Sequence, residues 1–249
     1  LKIDRDWVLN KNNFNAYGEI IDTSDVDTLY RNIYDPSTFT GVVFKESLEK
    51  YGARVKTISK KKTSNKSYKK VSNHLSKPLI HSATNLMNES DNLSAELFVK
   101  SIGALDTLPG TWKVGLDSIK SFLAKEVLID TSNIRLADAS GVSRYNLTSA
   151  AQLNSLLKWM YNSEYKDDFI STLPGGGWEN STLEKRLIDE GDLVRAKTGG
   201  LSGVRNLAGY IKSKKYGDVA FSILMNGYTD YSSRYARVHD QIVKSIIYD

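Results

Sequence analysis

Apolar residues recur at helical spacing over much of the chain after residue 70. Two sets lie close together, one at residues 79–87 and one at residues 93–102. Because residues three and four apart share one face of a helix, each set predicts an amphipathic helix. Residues 88–91 interrupt the pattern. We therefore predict that Ser90 lies on a turn that joins two helices.

The same spacing predicts three further helices. One covers residues 116–123, one begins at a cap at residue 148 or 149, and one closes the chain. The apolar face of the last helix carries Val238, Ile242, Val243 and Ile246. A capping-box pattern at residues 181–184 predicts a short helix that Gly191 ends.

Three apolar or alternating runs follow, at residues 193–197, 204–211 and 219–225. Gly-rich or charged turns separate them, so we predict an antiparallel meander of three strands with Lys197 at the end of the first. An α-rich middle, three strands and a closing helix are typical of an α+β domain in which helices flank an antiparallel sheet. Lys197 is then expected beside the rim of a cleft.

The composition changes near residue 70, and we divide the chain into residues 1–70 and 71–249. In the first part, strand-like pieces at residues 42–44 and 53–57 flank one predicted helix, which Gly52 ends. A lysine-rich run at residues 59–70 closes this part. It is interpreted as a solvated hairpin or an inter-domain link, and as a nucleic-acid patch in the alternative, although it lacks the interleaved aromatic residues of a single-strand binder.

Composition excludes several classes of function. The chain has 249 residues, a net charge of +5, no cysteine and three histidines, none of them paired at ligand spacing on a helix. Disulfides, thiol nucleophiles and a metal hydrolase are therefore not expected, and no metal or cofactor is predicted. No apolar run is long enough to span a bilayer. The first residues do not resemble a secretory signal and lack an initiating Met, so we expect a processed or truncated chain.

Two short motifs carry the chemistry. Lys197, Thr198 and Gly199 form a Lys-Thr-Gly tripeptide, and residues 90–92 form a Ser-Asp-Asn tripeptide about a hundred positions upstream. With a Ser-x-x-Lys motif they make up an acyl-transfer signature of penicillin-binding proteins and class A β-lactamases. Each tripeptide alone would be weak, but their order and separation make the combination specific.

Residues 71–249 resemble the C-terminal part of the transpeptidase-type domain of low-molecular-mass penicillin-binding proteins. The family is that of the D-alanyl-D-alanine carboxypeptidases and endopeptidases, which carry inserted domains. Residues 1–70 resemble the end of such an inserted, β-rich domain. Four segments carry the match, at residues 90–96, 138–146, 173–175 and 196–210.

The resemblance implies a role for each motif residue. A serine of the Ser-x-x-Lys motif attacks the substrate, and its lysine is the base. Ser90 relays a proton toward the leaving amine, Asn92 holds the substrate's amide and Lys197 keeps the site positive. Thr198 binds the terminal carboxylate, with Gly199 and Gly200 beside it. A lysine can take part in proton transfer near neutral pH only if burial or other cations lower its pKa.

The chain departs from the family pattern in three ways. Ala139 stands where the family usually has glycine, and Gly200 stands where a hydroxyl residue usually follows Lys-Thr-Gly, which is expected to weaken carboxylate binding. Literal Ser-x-x-Lys matches begin at Ser47, Ser59, Ser67, Ser155 and Ser163, none at the family's position. We therefore expect the nucleophile on an N-terminal part of the same protein, and expect this chain alone to form no acyl-enzyme.

Simpler structural interpretations remain beside these roles. Ser90 could be a helix N-cap, Lys197 a solvated strand residue and Thr198 a β-former. Ser140, Gly141 and Asn146 are expected to shape a turn, with contact to the substrate as the alternative, and Asp91 is expected to cap a helix. The tryptophans at 112, 159 and 178 are expected in the core, and the histidines at 81 and 239 in packing or at the surface.

The resemblance also implies partners and a compartment. The expected activity is serine-type hydrolysis of peptidoglycan stem peptides that end in D-Ala-D-Ala, with β-lactam antibiotics as acylating inhibitors. Such a site lies outside the cytoplasmic membrane of a bacterium, in the periplasm or cell envelope. Two other classes stay open: a non-catalytic peptidoglycan-peptide binding module, and a nucleic-acid module built on the lysine-rich run, whose binding would weaken as salt rises.

Overall fold

A computed structural model of the protein describes residues 1–21, 23, 29–61 and 69–249. The chain divides into two units, Leu1–Asn73 and His74–Asp249. Most of the lysine-rich run, at residues 62–68, lies outside the described residues, so the hairpin or link predicted there stays a prediction. So does the assignment of residues 1–70 to an inserted domain.

The first unit contains two strands and one helix. Strands β1 (Lys2–Arg5) and β2 (Phe14–Tyr17) pair antiparallel. Helix α1 (Pro36–Lys50) begins where Asp35 accepts a hydrogen bond from the Thr38 amide at 3.3 Å. It ends before Gly52, whose φ of +86° is readily adopted only by glycine, as predicted.

The strand-like pieces predicted in this unit are wrong. Residues 42–44 lie inside α1, and residues 53–57 form no strand. The start signal of Asp35 followed by proline outweighs the β-propensity of Val42, Val43 and Phe44. Strands β1 and β2 were not predicted because neither run is strongly apolar.

The second unit begins with three consecutive helices, α2 (Leu79–Glu89), α3 (Asn92–Asp106) and α4 (Trp112–Lys125). Helices α5 (Ala150–Tyr161) and α6 (Lys166–Thr172) follow, and α7 (Ser232–Tyr248) closes the chain. The predicted cap of α5 is confirmed: Ser149 and Gln152 form a capping box, each side chain bonding the other's backbone amide.

Three strands form the sheet of this unit. They are β3 (Val194–Leu201), β4 (Val204–Ser213) and β5 (Gly217–Asn226), paired antiparallel in that order. The predicted meander is confirmed, but the first strand is longer than predicted. Lys197 lies opposite Ala208 in its middle, so the expectation that Lys197 ends the strand is wrong. Strand β3 continues through the glycines at 199 and 200 because its pairing with β4 overrides their low strand propensity.

Helices cover both faces of the sheet, which confirms the layered α+β fold. On one face, Val243 and Ile247 of α7 pack in a cluster that includes Leu207 and Ile211 of β4, all at most 1% exposed. On the other face, Tyr210 packs in a cluster with Leu157 of α5 and Leu173, which follows α6. Alternation along β3 therefore decides which side chains face α7 and which face α5 and α2.

The short helix predicted from residues 181–184 is wrong. Residues 181–190 form successive turns, followed by a 3₁₀ helix, Gly191–Leu193. Leu187 has a φ of +52°, which a right-handed helix cannot contain. The amide of Gly177 donates to the carbonyls of Leu183 and Arg186, both at 3.0 Å, so a separate segment of the chain uses these acceptors.

Several predicted apolar faces differ in the structure. In α7, Val238 and Ile242 are 40% and 37% exposed, whereas His239 is fully buried. The buried stripe is therefore rotated toward a residue that the pattern counted as polar. Trp112 is 50% exposed, so it does not lie in the core as predicted. In α3, Leu93 and Leu97 are 66% and 52% exposed.

Candidate active site

Ser90 lies on the turn between α2 and α3, as predicted. It is the C-cap of α2, with φ 60° and ψ 48°, and its amide donates to the Leu86 carbonyl. This left-handed conformation stops the helix and is strained for a residue with a side chain. The alternative that Ser90 is an N-cap is wrong, because it ends one helix and Asp91 caps the next.

Asp91 fixes the start of α3. Its carboxylate accepts hydrogen bonds from the amides of Leu93 at 3.2 Å and Ser94 at 3.0 Å, and from the Ser94 hydroxyl. These bonds lower the pKa of Asp91, and the bond from the Ser94 hydroxyl has the largest effect. The predicted cap is confirmed, and it leaves Ser90 and the exposed Asn92 on either side of an anchored residue.

Lys197 meets Ser90 across 107 positions of sequence. Its Nζ donates to the Ser90 Oγ at 2.7 Å and to the Thr198 carbonyl at 2.9 Å. The structure thus joins one residue of the Ser-Asp-Asn tripeptide to one of the Lys-Thr-Gly tripeptide. Asn92 makes no side-chain hydrogen bond to another described residue, and its predicted role stays a prediction.

The environment of Lys197 lowers the pKa of its ammonium group from 10.5 to about 8. Burial is the cause, because desolvation disfavours the charged form. Among the described residues, no carboxylate lies within ion-pair distance of its Nζ to offset this effect. At neutral pH the ammonium is still mostly protonated, so it supplies positive charge and can also exchange a proton.

Burial of Lys197 predicts a pH-dependent stability. Because the folded-state pKa lies below the unfolded value, folding at pH below 8 carries a penalty that disappears as pH rises from about 8 to 10.5. The penalty is on the order of 3 kcal/mol. We expect the melting temperature of the native protein to rise relative to a Lys197→Met variant over this range. Parallel pH profiles of the two proteins would contradict the assignment.

The outer edge of β3 is covered at its start and open further on. The amide of Ala196 donates to the Pro174 carbonyl at 3.0 Å, and Gly175 forms a bridge with Arg195. Because backbone groups alternate in direction along a strand, those of Thr198 and Gly200 point the same way as those of Ala196. Among the described residues these groups of β3 meet no partner strand.

Helix α3 anchors the loop at residues 138–146 through hydrogen bonds to Glu96. Glu96 Oε1 accepts hydrogen bonds from the amides of Ala139 at 3.2 Å and Ser140 at 2.9 Å. Asp138 accepts from the amide of Gly141 at 2.8 Å and from the Asn146 side chain at 2.6 Å. These contacts agree with the expected turn-shaping role of this segment. They also identify Glu96, which the sequence reasoning missed, as its anchor.

Two arginines near the turn between β3 and β4 were also missed. Arg144 donates to the Ser202 carbonyl at 2.6 Å, and Arg205 lies opposite Gly200 in the sheet. Alternation could have placed Arg205 on the same face as Gly200, but only if the register were known. Among the described residues, no group of three His, Asp or Glu side chains could hold a metal ion, and no helix is long and apolar enough to cross a membrane.

Known proteins share the fold of this chain. Penicillin binding protein 4 from Haemophilus influenzae, solved with a β-lactam, superposes with a TM-score of 0.74 and 26% identity over 87% of this chain and 52% of its own. The TLA-3 extended-spectrum β-lactamase has a similar fold, with a TM-score of 0.50 and 22% identity over 67% of this chain and 62% of its own. The fold is thus that of penicillin-binding proteins and β-lactamases.

Sequence comparison gives the family. A sequence model of the D-Ala-D-Ala carboxypeptidase 3 (S13) family matches residues 3–245, so the chain belongs to this family. A D-alanyl-D-alanine carboxypeptidase from Actinomadura sp. is 32% identical over 81% of this chain, and a penicillin-sensitive carboxypeptidase A from Dictyostelium discoideum is 29% identical over 85%. The chain spans 39% and 42% of the lengths of these two relatives.

Proposed function

We propose that the protein is a serine-type D-Ala-D-Ala carboxypeptidase or endopeptidase that cleaves peptidoglycan stem peptides through an acyl-enzyme and is acylated by β-lactams. The observation that carries this proposal is the 2.7 Å contact between Lys197 Nζ and Ser90 Oγ beside an open strand edge. Family membership supports it, as do the names of the relatives. Because the proposed substrate is peptidoglycan, we also propose that the protein acts outside the cytoplasmic membrane of a bacterium.

The open part of β3 offers a way to hold the substrate. An extended peptide can lie along the edge and pair with the outward backbone groups of Thr198 and Gly200. The Gly200 amide then points toward the bound peptide and can donate to an oxyanion formed at its scissile carbonyl. Thr198 contributes its hydroxyl to the terminal carboxylate. Lys197 adds positive charge close to both groups.

Ser90 and Lys197 together provide a path for the proton of the leaving group. Lys197 donates to the Ser90 oxygen, which leaves the hydroxyl hydrogen free to point toward the leaving amine. When that amine takes the hydrogen, the ammonium can replace it, and its lowered pKa reduces the cost of this transfer. Asn92, on the other side of Asp91, is assigned to the substrate's amide.

We place the nucleophile outside this chain, on an N-terminal part of the same protein. Within the chain, Ser155 and Ser163 donate to the carbonyls of Ala151 and Met160, as ordinary helix or turn hydroxyls do. Both serines line a cavity of about 620 Å³, but neither Ser90 nor Lys197 does. This separation argues against either serine acting with the Ser90–Lys197 pair.

Two exposed surfaces of the second unit support the proposal that a further part of the protein packs against it. Leu93 and Leu97 of α3 are more than half exposed. Among the described residues, the outer edge of β5 has no partner strand. Apolar helix faces and free strand edges are normally covered, because they otherwise promote association. An N-terminal part that carries the nucleophile would cover them.

Intact mass after incubation with a labelled penicillin tests the proposal. We expect the full-length protein to gain one adduct, which peptide mapping places on a Ser-x-x-Lys serine upstream of this chain. The chain alone is expected to gain none. An adduct on any of the five serines of the literal Ser-x-x-Lys matches, Ser47, Ser59, Ser67, Ser155 or Ser163, would instead place the nucleophile within the chain. A folded full-length protein that gains no adduct but retains D-Ala-D-Ala peptides would favour the non-catalytic binding module.

A further inference from the structure

Arg205 and Gly200 face each other across the two strands that border the site. They are direct neighbours in the register of β3 and β4, so they lie on the same face of the sheet. Thr198 lies on this face as well, two residues before Gly200. The residue assigned to the substrate's carboxylate therefore has a guanidinium group diagonally across from it.

The Arg205 side chain folds over Gly200 instead of extending away from it. A Cβ atom on Gly200 would lie 3.2 Å from Arg205 Nη1 and 4.0 Å from its Cδ. A hydroxyl-bearing side chain at position 200 would compete with the guanidinium for the same space. Gly200 is exposed and Arg205 is half-buried, so the Nη1 end of the guanidinium lies beside the exposed end of β3.

The guanidinium of Arg205 has no partner among the described residues. It makes no hydrogen bond or ion pair with any of them, and its Nε is buried without an acceptor. Arg186, by comparison, is also partly buried but pairs with Asp240 at 2.7 Å. A partly buried cation without a partner is costly, which favours a site that an anion completes.

We propose that Arg205 binds the terminal carboxylate of the substrate together with Thr198, in the position that a hydroxyl residue at 200 would otherwise take. Gly200 makes room for it. This assignment rests on the proposed function, because that function brings a carboxylate to Thr198. It also reverses the expectation from sequence that Gly200 weakens carboxylate binding, since a guanidinium forms stronger, charge-assisted hydrogen bonds than a neutral hydroxyl.

Two penicillins that differ only in the carboxylate test the assignment in the full-length protein. Benzylpenicillin carries the free acid and its methyl ester does not. In an Arg205→Gln variant, we expect the acylation rate with the acid to fall about 10- to 100-fold, as for loss of a hydrogen bond to a charged group. The rate with the ester should change less than about threefold, because the ester lacks the carboxylate that Arg205 binds.

Two further variants separate carboxylate binding from general effects. Lys212→Gln removes the same charge from an exposed position at the other end of β4, and should leave both rates within about twofold because exposed charges at this distance are screened. Adding Gly200→Thr to Arg205→Gln places a hydroxyl in the vacated space and should restore part of the preference for the acid. Gly200→Thr alone should lower that preference, because it displaces the guanidinium.

The outcomes distinguish this proposal from the proposed function. If the native protein is acylated and Arg205→Gln leaves the ratio of acid to ester rates unchanged, the Arg205 assignment is wrong and the proposed function stands. An equal loss with acid and ester would likewise overturn it, as a general effect on the fold. If the folded native protein reacts with neither penicillin, the proposed function fails and the assignment fails with it.

Discussion

Replacing Lys197 with methionine is expected to slow acylation of the full-length protein by a labelled penicillin about 100- to 1000-fold, the effect of removing one preorganised charged donor. The variant keeps the apolar stem of the side chain but loses the ammonium that contacts Ser90 Oγ at 2.7 Å. The fold should persist, because burial already penalises the charged form of this lysine. The rate is measured by intact mass at several times of incubation.

A Lys212→Met variant is the matched control. Lys212 lies on β4 and is exposed, so the same substitution there removes a charge without touching the turn at Ser90. Its acylation rate should equal that of the native protein. If Lys197→Met is folded and reacts at the native rate, Lys197 is a structural residue and the proposed proton path is wrong.

Replacing Gly209 with alanine is expected to destabilise the protein by about 3 kcal/mol or more. A Cβ atom at this position would lie 2.1 Å from the Arg195 carbonyl oxygen and 2.6 Å from the Ala196 Cα, both of which belong to the backbone of β3. The strands must separate to accept it, directly beside Lys197. Urea unfolding of native and variant proteins measures the loss.

Gly199→Ala provides the comparison, since it adds the same methyl group to the facing strand. Its Cβ would meet the Asn206 Cβ at 3.5 Å, an ordinary van der Waals distance. We expect a change of less than about 0.5 kcal/mol in the free energy of unfolding. Equal losses in the two variants would mean that the close approach of the strands at Gly209 does not determine the cost of the added methyl group.

The sheet could be predicted from sequence because its strands are local and strongly patterned. The run at residues 204–211 is apolar and bounded by turn residues, and the structure extends it only to Ser213. The helix predicted from residues 181–184 is absent for a reason that the local sequence does not reveal. The carbonyls of Leu183 and Arg186 accept from the Gly177 amide, a contact within the folded chain that a local capping pattern does not contain.

In the candidate site, too, the features that depend on local sequence were predicted and those that depend on strand pairing were not. Two tripeptides indicated that Ser90 and Lys197 would meet, and the structure joins them. The prediction that Lys197 ends β3 was wrong. Gly199 and Gly200 were taken to end the strand, but pairing with β4 extends it to Leu201. Arg205 was missed altogether, since its relation to Gly200 depends on strand register and no local pattern encodes it.

The left-handed backbone at Ser90 has a consequence for the evolution of this chain. A serine in that conformation costs roughly 1 to 3 kcal/mol, whereas glycine would occupy it with little strain. Selection for thermal stability alone would therefore remove the hydroxyl that Lys197 contacts. If Ser90 acts in the proposed proton path, retaining serine at this turn gives up conformational stability for reactivity, and heat-adapted variants and active variants are expected to diverge at this position.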